Sequence, residues 1–227
     1  MLTRTAVPDT APQVSIASKR PPVGEHNLLG SLGLMGAPMP FGRNEEIYGE
    51  GEPAEYLYKV VKGAVRTYKV LNDGRRQISA FHLAGDVFGL EAGEEHAFSA
   101  EAISQSTVLV IKRSAVAALM ARDTNVAREL WSFTAFELQH VQDHVLLLIK
   151  SAEERVASFL LQMARRMRGI NEIDLPMSRQ DIADYLGLTI ETVSRTLTQL
   201  ETRATIALPS SRRVVLRNRG MLDRLNA

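Results

Sequence analysis

Hydrophobic positions change period partway along the chain. From about residue 41 to 113 they fall in short β-prone runs, Y-L-Y-K-V-V, A-V-R-T-Y-K-V-L, R-Q-I-S-A-F-H-L and T-V-L-V-I-K. These are divided by E-G-E-P, K-G, N-D-G and A-G-D, where glycine supplies the backbone angles of tight turns. Asn72–Gly74 predicts a hairpin tip, and closely spaced short strands predict a small antiparallel roll of jelly-roll type. Helical texture begins at Ser114–Met120, and a long helix is expected from about Asp123 to Ile149. Within it, spacings of four and three link Ala127, Trp131, Thr134, Leu138, Val141, Val145, Leu148 and Ala152. Val126, Leu130 and Phe133 form a second apolar row. A single buried helix would satisfy much of this pattern. Two rows on one connector favour two packing partners, the roll for one and a partner helix for the other. Trp131, Leu138, Val141, Val145 and Leu148 are thus the expected dimer seam.

Beyond residue 150 the period stays helical and the punctuation is dense. Ser151–Glu154 reads as a capping box and Gly169 as a helix C-cap. Glu172–Leu175 reads as a short strand ended by Pro176. Ser178 caps a helix over Arg179–Leu186, with Asp181 in its first turn. Gly187 breaks that helix, and Thr189 caps the next, Ile190–Thr202. T-I-A-L and R-V-V-L then flank P-S-S-R as a two-stranded ribbon with a basic tip, and a short helix begins after Asn218. Helix, glycine turn, helix and strand pair make a winged helix-turn-helix. The expected class is α+β. A tail spans 1–25, an antiparallel roll 26–122, a dimerisation helix 123–150 and the winged motif 151–227.

The stretch L-G-L-T-I-E-T-V-S-R carries the candidate chemistry. At about 100° per residue, Glu191, Ser194 and Arg195 share one arc, while Val193, Leu197 and Leu200 occupy another. In a helix-turn-helix the second helix lies in the major groove, its first residues at the base edges. There Arg195 can donate twice to guanine O6 and N7, Glu191 can accept from cytosine N4, and Ser194 makes a tolerant short contact. The spacing of four also lets Glu191 and Arg195 pair along the helix. Ser178, Arg179 and Gln180 open the first helix of the motif, where free N–H groups suit a phosphate. Thr189 and Thr192 at the start of the second helix are further phosphate candidates. So are Ser211, Arg212 and Arg213 at the ribbon tip.

Composition narrows the class without choosing it. The 227 residues are 45% hydrophobic and 23% charged, an ordinary globular balance. Residues 1–150 carry 15 basic and 17 acidic groups; residues 151–227 carry 12 and 9, every cation an arginine. Arginine's planar fork suits phosphate and guanine edges. Cysteine is absent, which excludes disulfides and cysteine-held iron–sulfur clusters. No apolar run approaches the roughly 20 residues of a membrane span, and the first ten residues lack a signal peptide's apolar core, so a cytoplasmic protein is expected. The five histidines are scattered. His140 and His144 have metal-like spacing without an evident third ligand, and His82 and His96 in or near the roll are the residues an effector-binding haem or metal would use. No nucleophile–base constellation points to an enzyme, and a metal oxygenase built on the roll would need clustered histidines. A non-specific architectural binder would have no use for Glu191. No metal or cofactor is expected.

At these residues the sequence resembles the Crp/Fnr superfamily of bacterial transcription regulators, most closely its Fnr/FixK branch. The likeness spans about residues 26–227 and rests on E-Y-L-Y-K-V-V-K-G-A-V-R-T-Y-K-V, F-H-L-A-G-D and D-I-A-D-Y-L-G-L-T-I-E-T-V-S-R. The branch's recognition signature falls on Glu191, Ser194 and Arg195, which implies a homodimer on a two-fold symmetric duplex DNA site with TTGA-like half-sites. Ile190 stands where the Crp subtype has arginine, and can touch a thymine methyl. Relatives that bind cyclic nucleotide carry a glutamate after the cassette glycine and an Arg-Ser pair beyond it; here Gly89 precedes Leu90, and Phe98 precedes Ser99. The resemblance implies an activator without a small effector that recruits RNA polymerase to genes of microaerobic respiration or nitrogen fixation. The alternative is a regulator of the same family gated by haem, metal or a small molecule.

Overall fold

The computed structural model describes residues 35–167, 169 and 171–226; the expected tail at 1–25 lies outside them. Eight strands form two four-stranded sheets. One has the order β1 (Ala37–Phe41), β8 (Ser106–Lys112), β3 (Tyr56–Lys62), β6 (Val87–Phe88). The other runs β2 (Glu46–Tyr48), β7 (Ser99–Ala102), β4 (Ala64–Val70), β5 (Arg76–Leu83). All pairings are antiparallel. Alternate residues point inward, so Phe41, Tyr48, Tyr58, Val60, Val65, Phe88 and Val108 fill the space between the sheets. The β4–β5 hairpin turns at Asn72–Gly74, where Gly74 has φ +82° and Leu71 N–H bonds Arg75 O at 2.8 Å.

Helix α1 (Arg113–Arg122) leads into α2 (Thr124–Leu147), capped by the Asp123 carboxylate on Asn125 N–H at 2.9 Å. The two expected rows of α2 separate as their spacing requires. Val126 is buried and Leu130 half-buried against Leu57, Leu109, Ile111 and Val116, on the outer face of the first sheet. Trp131, Leu138, Val141 and Val145 stand exposed. Leu148 differs from its row. It lies just beyond the helix, half-buried, facing the turn at Gly187.

Ser151 and Glu154 cap α3 (Ala152–Arg166) reciprocally. Gly169 is not a left-handed cap. Its N–H bonds Ala164 O, and a Cβ there would meet the Glu172 carbonyl at 2.3 Å, so close approach rather than φ demands glycine. The wing has three strands rather than two: β10 (Ile206–Ala207), β11 (Arg213–Leu216) and β9 (Glu172–Asp174), in that order, because the expected 172–175 strand pairs with the outer side of β11. Helices α4 (Arg179–Leu186), α5 (Ile190–Thr202) and α6 (Arg219–Asn226) complete the C-terminal part. One buried cluster runs through α3, α4, α5 and the wing into Ala64, Ile78, Phe81 and Ile103 of the roll. Roll and winged motif therefore share a hydrophobic core.

Candidate nucleic-acid interface

Gly187 takes φ +62°, ψ +39°, reversing the chain between α4 and α5 in a way a Cβ would strain. Arg155 of α3 holds this turn from outside, donating to Leu186 O at 2.9 Å and, through Nε, to Lys150 O at 2.8 Å. Thr189 caps α5, its Oγ1 accepting from Thr192 N–H at 3.2 Å and lying 3.1 Å from Thr192 Oγ1. Val193, Thr196, Leu197 and Leu200 of α5 are buried, locking its inner face to α3 and α4. The opposite arc carries Glu191 and Arg195 exposed, Ser194 half-exposed and Ile190 at 36%. The four base-contact candidates thus share the outward side of one rigid helix.

Glu191 and Arg195 do not close the ion pair their spacing permits; among the described residues no contact within 4.0 Å joins them. Hydrogen bonds from its own backbone N–H and the Thr189 hydroxyl, with a smaller contribution from the Arg195 charge, hold the Glu191 carboxyl below its ordinary value. An ionised, exposed acceptor beside an exposed guanidinium fits the two edges of a G·C pair.

The phosphate candidates divide by what already engages them. Ser178 Oγ donates to Asp181 Oδ2 at 2.7 Å and accepts from Asp181 N–H at 3.1 Å, so its one proton serves the α4 cap. Gln180 Nε2 donates to Asp184 Oδ1 at 2.6 Å. Thr189 and Thr192 serve the α5 cap. Arg213 is paired to Glu172 across the wing. Arg179 and Arg212 are half-exposed and Ser211 is exposed at the wing tip.

Sequence reasoning missed what lies behind α4. The Asp181 carboxylate, expected as a first-turn acid, also takes Arg66 Nη1 at 2.9 Å and Arg76 Nη2 at 2.7 Å, both from the roll. Arg76 Nε donates to Asp184 Oδ2 at 2.8 Å. Burial alone would raise the Asp181 pKa; hydrogen bonds from Ser178 and the charges of Arg66 and Arg76 outweigh it and hold the carboxyl below its ordinary value. Burial likewise pulls against Arg76, but Asp184 and Asp181 raise it. Nearby, Arg166 Nη2 donates to Phe81 O at 2.6 Å and to Asp86 Oδ2 at 2.5 Å. No local periodicity signals a partner more than 100 residues away.

A cavity of about 440 Å3 lies between the roll and α2, lined by Tyr48, His82, Phe88, Leu90 and Phe98 and, from α2, by Leu138, Val141 and Val145. Arg166, the arginine among its lining residues, is already tied to Asp86 and Phe81. A cyclic phosphate seated beside Leu90 and Phe98 would lack a counter-charge, so these residues do not fit a cyclic nucleotide. His82 packs on Phe88 at 4.8 Å, 3.2 Å from Thr67 Oγ1, and burial lowers its pKa to about 4. His96 stacks on Tyr48 at 3.6 Å, and His144 on Tyr185 at 4.2 Å. Among the described residues no three or more metal-ligating side chains gather.

A two-sheet roll, a long connecting helix and a winged helix-turn-helix with an exposed Glu–Ser–Arg arc define a DNA-binding transcription regulator. Residues 38–123 match the model of the cyclic nucleotide-binding domain, and 154–225 that of the Crp-like helix-turn-helix domain. The chain belongs to the Crp/Fnr family and is a transcriptional activator of that type. It is similar to the nitrogen fixation regulation protein FixK of Azorhizobium caulinodans, 54% identical over 86% of this chain and 82% of that one. The FixK protein of Rhizobium meliloti is 45% identical over 74% and 77%. The structure of FixK2 from Bradyrhizobium japonicum superposes with TM-score 0.82 at 55% identity, covering 85% of this chain and 98% of that one. No helix among the described residues is long and apolar enough to cross a membrane.

Proposed function

We propose that this chain acts as a FixK-like homodimer in the bacterial cytoplasm, reading a two-fold DNA site with TTGA-type half-sites and recruiting RNA polymerase without a small effector. The working units are the roll at 26–122, the dimerisation helix at 123–150 and the winged motif at 151–227. The observation that carries this reading is the exposed arc of Ile190, Glu191, Ser194 and Arg195 on a helix whose other face is locked in the core. Arg195 reads guanine, Glu191 its cytosine, Ile190 a thymine methyl and Ser194 either neighbour. Arg179, Ser211 and Arg212, with Ser178, Gln180, Thr189, Thr192 and Arg213 in supporting places, contact phosphates and set the register. Trp131, Leu138, Val141 and Val145 meet their counterparts about the two-fold axis, Leu148 at the edge. The two recognition helices then occupy successive major grooves about 34 Å apart. The regulated genes serve microaerobic respiration or nitrogen fixation, a reading supported by the names of the relatives.

Effector independence is supported by the apolar cassette at Leu90 and Phe98 and by the engagement of Arg166. The cavity favours a second reading, in which an uncharged ligand gates the same DNA-binding face. Fluorescence anisotropy with purified protein, a labelled TTGA palindrome and no added ligand separates the two. Nanomolar binding that a scrambled duplex does not match supports the first reading. Equal, weak binding to both duplexes refutes it.

A further inference from the structure

We propose that Arg66 and Arg76 of the roll are positioning residues for DNA recognition, clasping Asp181 and Asp184 so that the recognition helix is held at one half-site spacing. This rests on the dimeric reading above. It adds a determinant of site architecture that lies outside the DNA-facing surface.

The covalent link between α2 and the winged motif is a turn at residues 148–151, which cannot by itself fix the angle of the helices beyond it. The core shared by the roll, Leu147 and the winged motif and the Arg166–Asp86 pair hold it in part, and two further routes add to them. One is Arg155, which ties the Gly187 turn to the Lys150 carbonyl, within the turn that follows the long helix. The other runs through the roll, which rests on α2 at Val126 and Leu130. It continues through β4 and β5, whose Arg66 and Arg76 grip α4. Asp181 and Asp184 stand three residues apart, so both carboxylates face the roll from one side of α4. Helix α4 is locked to α5 through the core shared by Ile182, Val193 and Leu197. The orientation of α4 on the sheet is therefore the orientation of the recognition helix.

The clasp is largely shielded, with side-chain exposures of 9% for Arg66, 25% for Arg76, 5% for Asp181 and 12% for Asp184. Arg66 also holds Glu101 at 2.6 Å, which anchors it within its own sheet. Without Arg76, Asp181 keeps Arg66 and Ser178 and Asp184 keeps Gln180, so the Asp184 carboxylate must recover water and its tie to the roll is lost. The joint is accordingly loosened at β5, while Arg66 and the shared core remain.

Spacing is the readout that a purely structural role would not move. One inserted base pair shifts a half-site by about 3.4 Å and rotates it by about 35° about the duplex. A fixed pair of recognition helices rejects that change, whereas a loosened pair accommodates it. The proteins are the wild type, Arg76→Gln, Arg76→Lys and Asp184→Asn; the duplexes are a TTGA palindrome at its preferred spacing and versions one base pair shorter and longer. For each protein the ratio of dissociation constants between spacings and the thermal midpoint are measured at one salt concentration.

The wild type is expected to prefer its spacing by at least about tenfold. Arg76→Gln and Asp184→Asn are expected to narrow that ratio at least threefold, and Arg76→Lys to restore most of it. Uncovering the Asp184 charge near phosphates would weaken all three duplexes alike and leave the ratio intact. An unchanged ratio in Arg76→Gln and Asp184→Asn, with or without a lower thermal midpoint, overturns the proposal and leaves the DNA-reading function standing. So does a wild type that distinguishes sequence but not spacing. A wild type that binds scrambled and TTGA duplexes equally overturns the proposed function, and this inference with it.

Discussion

Leu138→Ala tests whether the exposed row of α2 is covered by a second copy. Leu138 keeps 58% of its surface exposed in the single chain. Fully burying a leucine contributes about 1.5–3 kcal/mol, and the two-fold axis counts each seam residue twice. Covering the exposed share in both protomers thus contributes about 2–3 kcal/mol, a little of which alanine retains. The dimer association constant should fall roughly 30- to 150-fold. Sedimentation equilibrium over a wide concentration range measures it, with far-UV circular dichroism to confirm the fold. Val70→Ala is the control: Val70 is 55% exposed, but on strand β4 and not on α2. A dimer seam on α2 is ruled out if Leu138→Ala and Val70→Ala leave association equally unchanged, or if the wild type is monomeric at micromolar concentration.

Arg212→Ala, at the half-exposed wing, should weaken binding to cognate and scrambled duplexes by the same factor and reduce the salt slope by about one; a selective loss on the cognate would reassign Arg212 to base reading. His82 is held neutral by burial, its pKa lowered to about 4 from 6.5. Between those values the unfolded chain binds the proton and the folded chain does not, so stability is full above about 6.5 and falls as the pH drops, by up to about 3 kcal/mol at the lower end. Urea titrations should show this slope in the wild type and a shallower one in His82→Gln; equal slopes would contradict it. Gly187→Ala forces a Cβ into a left-handed turn and should cost about 1 kcal/mol or more, read from the urea midpoint; a stabilised variant would contradict the strained turn.

Most of the local architecture was legible because it is written in neighbouring residues. The capping box at Ser151–Glu154, the Ser178 cap, the turn at Gly187 and the Asn72–Gly74 hairpin tip are short-range signals with one physical solution each. The α2 rows were legible because helical spacing separates two faces. What failed was long-range or dual. Glu172–Asp174 gave no hint that it would extend the wing to three strands, since strand pairing depends on where the chain returns. Asp181 satisfied a local rule as a first-turn acid, which concealed its pairing with Arg66 and Arg76. Gly169 obeyed the composition of a C-cap while serving close approach instead. Leu148 kept its heptad place in the sequence, but the helix ended before it. The recognition arc was the clearest of the functional signals, because burying Val193, Leu197 and Leu200 leaves Glu191 and Arg195 no other direction to face.

The central claim is that α5 presents an acid and a guanidinium to a G·C pair in each half-site. Its most direct test is selection of binding sites from random duplexes with purified wild type and with the double variant Glu191→Gln, Arg195→Gln. The account predicts a two-fold TTGA-type motif for the wild type, and for the variant a loss of the preference at the guanine position, where each bidentate contact contributes about 1–3 kcal/mol of discrimination. The same motif recovered from both proteins, with the same guanine preference, would contradict it.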